Sequence, residues 1–201
     1  LLVGQKGGDV YALDPDKGGA VVWHNKVGRG GFLGGVHWGM SANGDSLFVP
    51  IADTTITGRF TGPVSPGIHA LDPTSGEVRW YTPSVADCDG KSPIPVCDQG
   101  MSAAITSTDQ LVFAGSLDGN LNVYDSLSGE ILWSFDTFGD FESVSGDTAL
   151  GGSIESDGPV LYKGHVLINS GYQFGARMPG NALMVFSLPP EADLARSIRG
   201  D

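Results

Sequence analysis

A segment of sequence recurs three times in this chain, and this recurrence limits the possible fold more than any other feature. Each copy contains an aspartate, a short polar turn, a glycine and, a few residues later, a tryptophan. The copies run from Ala12 to Trp23, from Ala70 to Trp80 and from Val123 to Trp133. A period of roughly 50 residues indicates repeated supersecondary units that bury their apolar faces by stacking on one another.

Each copy is typical of two strands joined by a tight turn. The aspartate side chain can accept hydrogen bonds from the turn backbone, and the glycine can adopt a positive φ. Another alternating strand, 111–115, precedes the third copy, and the Asp118-Gly119 pair between them predicts a hairpin. The small-residue segment Gly100–Ile105 adds a fourth strand. Four strands per unit, with a tryptophan on the last strand, are typical of a β-propeller blade.

We therefore predict an all-β fold, a partial β-propeller over residues 1–188 with about three and a half four-stranded blades. The predicted parts are a blade tail at 1–28, blades at about 34–83, 100–137 and 151–188, and a polar C-terminal tail at 189–201. An incomplete propeller would leave apolar strand edges exposed to solvent. We therefore expect this chain to be the C-terminal portion of a longer one, or to pair with the remaining propeller blades on the same or another chain. A closed four-bladed wheel is the alternative.

The charge balance restricts the partners of such a propeller. Lys and Arg number 11 and Asp and Glu number 23, so the formal net charge is −12. Nucleic-acid binding needs clustered cations and is therefore excluded, whereas a basic protein partner is compatible with this charge. Since no run of about 18 apolar residues occurs, we expect no transmembrane segment.

Two cysteines, Cys88 and Cys97, lie in one loop rich in Asp, Gly, Ser and Pro. Their spacing allows a small disulfide ring, which we predict. No second Cys or His pair accompanies them, so a zinc site in this loop is not expected.

The repeat, with its alanine-x-aspartate, glycine and tryptophan, resembles the tryptophan-docking motif of the pyrroloquinoline quinone (PQQ) propellers, the quinoprotein alcohol dehydrogenases. Further segments are similar to the polyvinyl-alcohol-dehydrogenase-like branch of that family. These segments are 27–31, 34–41, 151–155, 169–172 and 178–181.

The resemblance implies an eight-bladed propeller that carries PQQ and Ca²⁺ on its axis. It also implies oxidation of alcohols, such as secondary or polymeric ones, to carbonyls, with electrons passing to a cytochrome c or a haem domain. No Cys-x-x-Cys-His haem attachment sequence occurs in the chain, so the haem would lie upstream or on another protein. A periplasmic or secreted location would follow. The competing interpretation is a non-catalytic propeller of the same superfamily that binds other proteins as a scaffold.

The resemblance also assigns roles to individual residues. Trp38 matches the family tryptophan that stacks under the quinone. The alternative is that Trp38 only packs against other residues around the central axis of the propeller, which we call the hub. Asp53 lies where related enzymes place an Asn ligand for Ca²⁺. The alternative is that Asp53 has no metal-binding role and is only the first residue of a loop. Asp98 lies near the position of the family's catalytic aspartate, which takes the alcohol proton. The alternative is that Asp98 is a surface residue beside the ring closed by the two cysteines.

Two cations are further candidates for the cofactor site. Lys6, at a strand end, and Arg29, near the hub entry, could pair with the quinone oxygens or carboxylates, although both have ordinary turn and loop interpretations. His37 is a possible base in place of Asp98, but strand alternation would place it on the face opposite Trp38. Glu155 and Asp157 are two residues apart, and we interpret them as part of a solvated strand face.

Overall fold

The computed structural model describes residues 1–54, 60–94, 96–172 and 175–188. Within these ranges the chain forms antiparallel β-sheets and one short 3-10 helix at Pro15–Lys17, with no α-helix. The all-β prediction is therefore confirmed. The predicted tail at 189–201 lies outside the described residues, and the blade limits given above remain a prediction.

In the described part of the chain, four sheets of three or four strands and one two-stranded hairpin follow one another, and each is built from strands that are neighbours in sequence. The first sheet contains β1 (Leu2–Gly4), β2 (Asp9–Asp14) and β3 (Ala20–Lys26). The second contains β4 (Ser41–Ala42), β5 (Leu47–Ile51), β6 (Gly67–Leu71) and β7 (Val78–Pro83). The third contains β8 (Thr106–Ser107), β9 (Leu111–Gly115), β10 (Asn120–Asp125) and β11 (Ile131–Asp136). A hairpin of β12 (Gly139–Glu142) and β13 (Thr148–Gly151) precedes the fourth sheet, which contains β14 (Val160–Tyr162), β15 (His165–Ser170) and β16 (Ala182–Ser187).

The recurring aspartates form the turns that the sequence predicts. Asp72 Oδ1 accepts a hydrogen bond from the N–H of Thr74 at 2.7 Å, and Asp125 Oδ1 accepts one from Leu127 at 3.0 Å. Gly129, which closes the second of these turns, has a φ of +75°. Only glycine adopts this conformation at little cost, which explains its place in the repeat.

The recurring tryptophans join each sheet to the next. Trp23 Nε1 donates to the carbonyl of Pro73 at 3.0 Å, and Trp80 Nε1 donates to the carbonyl of Ser126 at 3.1 Å. The two acceptors occupy the same position of the turn, directly after its aspartate. The described part of the fourth sheet has no such turn for Trp133, whose ring packs edge-on against Phe186 at 5.4 Å between ring centroids.

The core lies between the sheets and consists of three apolar clusters. One cluster fills the space between the first and second sheets, the next that between the second and third, and the last that between the third and fourth. Fully buried members include Val10, Phe48 and Ile168. Face-to-face stacking of successive sheets is the arrangement expected of propeller blades.

The loop between β7 and β8 contains the predicted disulfide, which joins Cys88 to Cys97. Cys97 is completely buried, and the residue after it, Asp98, begins the segment that leads into the third sheet. The covalent ring therefore holds the start of this segment in place.

Candidate active site

Three chain segments lie side by side at the inner ends of the sheets. The carbonyls of Gly35, Gly100 and Ser153 each accept a hydrogen bond from a backbone N–H of their own sheet at 2.9–3.0 Å, the donors being Ala52, Leu117 and Gly171. The next residue of a segment can bond across to the sheet before it, as Met101 N–H does to Ile51 O at 3.2 Å. The three segments are therefore structurally equivalent and neighbour one another.

The residues two positions further along these segments form what we call the hub chain: His37, Ser102 and Glu155. Ser102 Oγ lies 2.7 Å from His37 Nδ1 and donates to Glu155 Oε1 at 2.9 Å. Ser102 and Glu155 are buried, and the side chain of His37 is only 7% exposed. One equivalent residue from each of three sheets thus contributes to a single hydrogen-bonded row.

Two further buried charges lie close to the hub chain. Burial lowers the pKa of the Arg177 guanidinium, while the negative charges of Asp98 and Glu155 act in the opposite direction. Asp98 is fully buried, and its Oδ1 accepts a hydrogen bond from the N–H of Gly100 at 2.9 Å. Two carboxylates and one guanidinium therefore share a low-dielectric region, where their mutual interactions are strong.

Trp38 follows His37 directly and provides an aromatic surface. Trp38 is 46% exposed and contributes to a cavity of about 500 Å³ that is also lined by Ala104 and Leu167. This volume is in the range of pockets that hold small molecules and cofactors. A flat, half-exposed indole at such a cavity is suited to stacking on a planar ring system.

A second cavity, of about 260 Å³, adjoins the first and is lined by Glu155 and Tyr172. The residues shared by both cavities are Ser156, Asp157, Asn169 and Leu183. A planar ligand over Trp38 and a smaller ligand beside Glu155 would therefore be neighbours.

Asp53 is not part of the hub chain and instead accepts hydrogen bonds from the backbone of two loops. It is buried with a φ of +37°, and its carboxylate accepts backbone hydrogen bonds from Arg29 at 2.7 Å, Gly30 at 2.9 Å and Ser65 at 3.0 Å. In the part of the chain that the structure describes, no group of three or more His, Cys, Asp or Glu is arranged to hold a metal ion. Asp53 thus ties two loops together, and the described residues alone do not fit a Ca²⁺ site.

The two candidate cations bond to the same loops. Arg29 Nη2 donates to the carbonyl of Thr54 at 2.8 Å. Lys6 Nζ donates to the carbonyl of Phe32 at 3.2 Å and lies 5.8 Å from the centre of its ring. The structure therefore brings Arg29 together with Asp53, and Lys6 bonds to the loop that carries Arg29, whereas Asp98 lies near the hub chain that Trp38 adjoins.

Three interpretations of the sequence are wrong. Asp98 is completely buried, so it is not a surface residue beside the cysteine ring. Glu155 is 1% exposed and lies outside any strand, so it is not part of a solvated strand face, although Asp157 is exposed. His37 and Trp38 do not point to opposite faces, since their ring centroids are 5.1 Å apart. Strand alternation fails because this segment has no regular strand structure before β4.

Sequence reasoning missed Ser102 and Arg177 altogether. A signal for Ser102 was present: when the segments are aligned on Gly35, Gly100 and Ser153, its position coincides with those of His37 and Glu155. We see no comparable signal for Arg177, which enters from a loop outside the repeat.

Comparison with known proteins gives the family of this chain. A family model described as outer membrane protein assembly factor BamB matches residues 6–150 and, in a second overlapping match, residues 65–176. The chain is 34% identical over 198 residues to a polyvinylalcohol dehydrogenase of Pseudomonas sp, covering 94% of this chain and 30% of the relative. It is 33% identical over 112 residues to a 1-butanol dehydrogenase (cytochrome c) of Thauera butanivorans, covering 55% of this chain and 15% of the relative.

A solved structure supports the fold. The crystal structure of BamB from Moraxella catarrhalis matches with a TM-score of 0.56 and 20% identity, over 84% of this chain and 43% of that one. Among the described residues, no helix has the length and apolar character needed to cross a membrane. The fold prediction is confirmed, and the chain belongs to the family of PQQ-dehydrogenase-like β-propellers.

Proposed function

We propose that this chain is part of a PQQ-dependent dehydrogenase that oxidises alcohols, such as secondary or polymeric ones, to carbonyls. The observation that carries the proposal is the half-exposed indole of Trp38 at a cavity of about 500 Å³. The names of the polyvinylalcohol and butanol dehydrogenases add support for the substrate class. Because the chain spans 30% of the length of the first of these relatives, other parts of the protein would complete the site.

When bound, PQQ would supply the quinone that takes two electrons from the alcohol. Within this chain, Trp38 would hold the planar ring system by stacking, and Lys6 and Arg29 are secondary candidates to pair with its oxygens. Asp98 or another buried carboxylate would take the hydroxyl proton. We assign no step to Ca²⁺, because the contacts of Asp53 are those of a loop-bridging carboxylate.

The electrons would pass to a cytochrome c or a haem domain, as the name of the Thauera relative suggests. The net charge of −12 is compatible with docking of a basic redox protein. A periplasmic or secreted location agrees with the Cys88–Cys97 disulfide, since such bonds persist in oxidising compartments.

The second candidate function is a non-catalytic scaffold that binds other proteins. It is favoured by the BamB description of the matching family model. A fold alone does not decide between the two, because function resides in the site.

Titration of the whole native protein with PQQ, followed by absorbance, tests the proposal. We expect saturable binding that Trp38→Ala abolishes and Trp38→Phe partly retains, together with dye-linked alcohol oxidation that falls in parallel. Tyr162→Ala removes an exposed aromatic ring from β14 and should change neither. Absence of PQQ binding by the native protein would favour the scaffold, and full binding by Trp38→Ala would remove this residue from the site.

A further inference from the structure

We propose that Glu155 is the proton acceptor for alcohol oxidation and that Ser102 and His37 are positioning residues which hold its carboxylate in place. This inference rests on the proposed dehydrogenase function. It assigns the base to a residue that the sequence resemblance did not indicate.

The hydrogen-bond directions within the hub chain follow from its chemistry. A carboxylate only accepts hydrogen bonds, so the single proton of Ser102 points to Glu155 Oε1. Ser102 Oγ must then accept from His37, which places the imidazole proton on Nδ1. The row therefore donates in one direction, from His37 through Ser102 to Glu155, and leaves Oε2 as the carboxylate oxygen without a donor.

The second carboxylate oxygen of Glu155 indicates where a ligand would bind. Oε2 is buried and has no hydrogen-bond partner among the described residues. A buried acceptor without a donor is costly, by about 1–3 kcal/mol. Because Glu155 lines the cavity of about 260 Å³ beside the Trp38 cavity, a hydroxyl group held there would supply the missing donor.

Asp98 is less well placed for this role. It lines neither of the two cavities, and one of its oxygens already accepts the Gly100 N–H. Arg177 interacts electrostatically with both Asp98 and Glu155. The guanidinium of Arg177 therefore offsets the free-energy cost of burying two carboxylates. Of these two carboxylates, only that of Glu155 lines one of the two cavities.

The proposed step is balanced with the quinone as the oxidant. The alcohol O–H bond breaks and its proton passes to Glu155 Oε2, while the adjacent C–H bond breaks and its hydride passes to the quinone, leaving a C=O bond. Glu155 then releases its proton from Oε2 to solvent once the carbonyl product has left, while the hydrogen bond from Ser102 keeps Oε1 in place.

The test compares Glu155→Gln with Glu130→Gln in the whole native protein. Glutamine preserves the size of the side chain and an acceptor for Ser102 but removes the base. We expect Glu155→Gln to bind PQQ with unchanged affinity and to lose about 10²- to 10⁴-fold in kcat, the usual range for a general base. Glu130 is exposed, so its variant should keep full activity.

The positioning role of Ser102 and His37 has its own measurement. The ¹⁵N shifts of His37 should report an Nδ1–H tautomer in the native protein, and Ser102→Ala should disturb it while Ser102→Thr restores both the tautomer and the rate. Normal kcat in Glu155→Gln with PQQ bound would overturn the assignment of the base. Loss of PQQ binding by the native protein would instead contradict the proposed function, so the two failures are distinguishable. An Nε2–H tautomer in the native protein would overturn the positioning role, because Ser102 would then donate its proton to His37 and not to Glu155.

Discussion

The indole ring of Trp80 lies directly over Gly129 of the neighbouring sheet. A Cβ atom at Gly129 would come within 2.5 Å of ring atom Cε3, and the same distance separates such an atom at Gly76 from the ring of Trp23. The glycine of the repeat therefore has two functions. It permits the positive φ of its own turn, and it leaves space for the tryptophan of the preceding sheet.

Replacing Gly129 with alanine tests the second function. We expect Gly129→Ala to reduce the free energy of unfolding by the cost of a left-handed alanine plus about 1–3 kcal/mol for overpacking against Trp80. Gly18→Ala is the matched control, because Gly18 has a φ of +64° but an alanine Cβ there would meet no atom within 4 Å. Urea denaturation measures the free energy of unfolding of both variants. If it falls equally in the two, the contact with the Trp80 ring contributes nothing.

Asp53 is expected to stabilise the fold by accepting three backbone hydrogen bonds. In Asp53→Asn one accepting oxygen becomes an amide donor that faces other donors. We therefore expect the free energy of unfolding to fall by about 1–3 kcal/mol. The loss should be the same with and without a calcium chelator. Asp45 is exposed, and Asp45→Asn should leave stability unchanged. A loss that appears only in the presence of Ca²⁺ would instead support the metal-ligand role.

The disulfide should stabilise the loop that leads to Asp98. Closing a loop between Cys88 and Cys97 restricts the unfolded chain, and native disulfides typically contribute about 2–4 kcal/mol. We therefore expect reduction, or the double change Cys88→Ser and Cys97→Ser, to lower the denaturation midpoint and to expose this loop to proteolysis. If the reduced and oxidised proteins unfold at the same denaturant concentration, the ring has no such effect.

The repeat made the turns predictable, because Asp72 and Gly76 act through local turn chemistry. The β12–β13 hairpin was not predicted, since it is an insertion that the repeat does not contain. The burial of Glu155 could not be read from its sequence neighbours either. Its partner Ser102 is 53 residues away, and the two meet only when the inner segments of two sheets lie side by side.

His69 gives the protein a pH-dependent stability. Its ring is buried and stacks on Tyr81 at 4.2 Å between centroids, with Nε2 3.3 Å from the carbonyl of Ser65. Burial lowers the pKa of His69 below its usual value of 6.5, while the Ser65 carbonyl and the charge of Asp53 oppose this shift.

As the pH falls below 6.5, the unfolded chain takes up a proton at this histidine before the folded protein does. The stability that neutral His69 provides is therefore fully present above that pH, and it is lost as the pH falls through the lower pKa of the folded state. Urea denaturation between about pH 7.5 and pH 5 should show a decline that is smaller in His69→Gln, whose side chain does not titrate. His165 is exposed, so His165→Gln should keep the decline of the native protein, and an unchanged decline in His69→Gln would contradict this assignment.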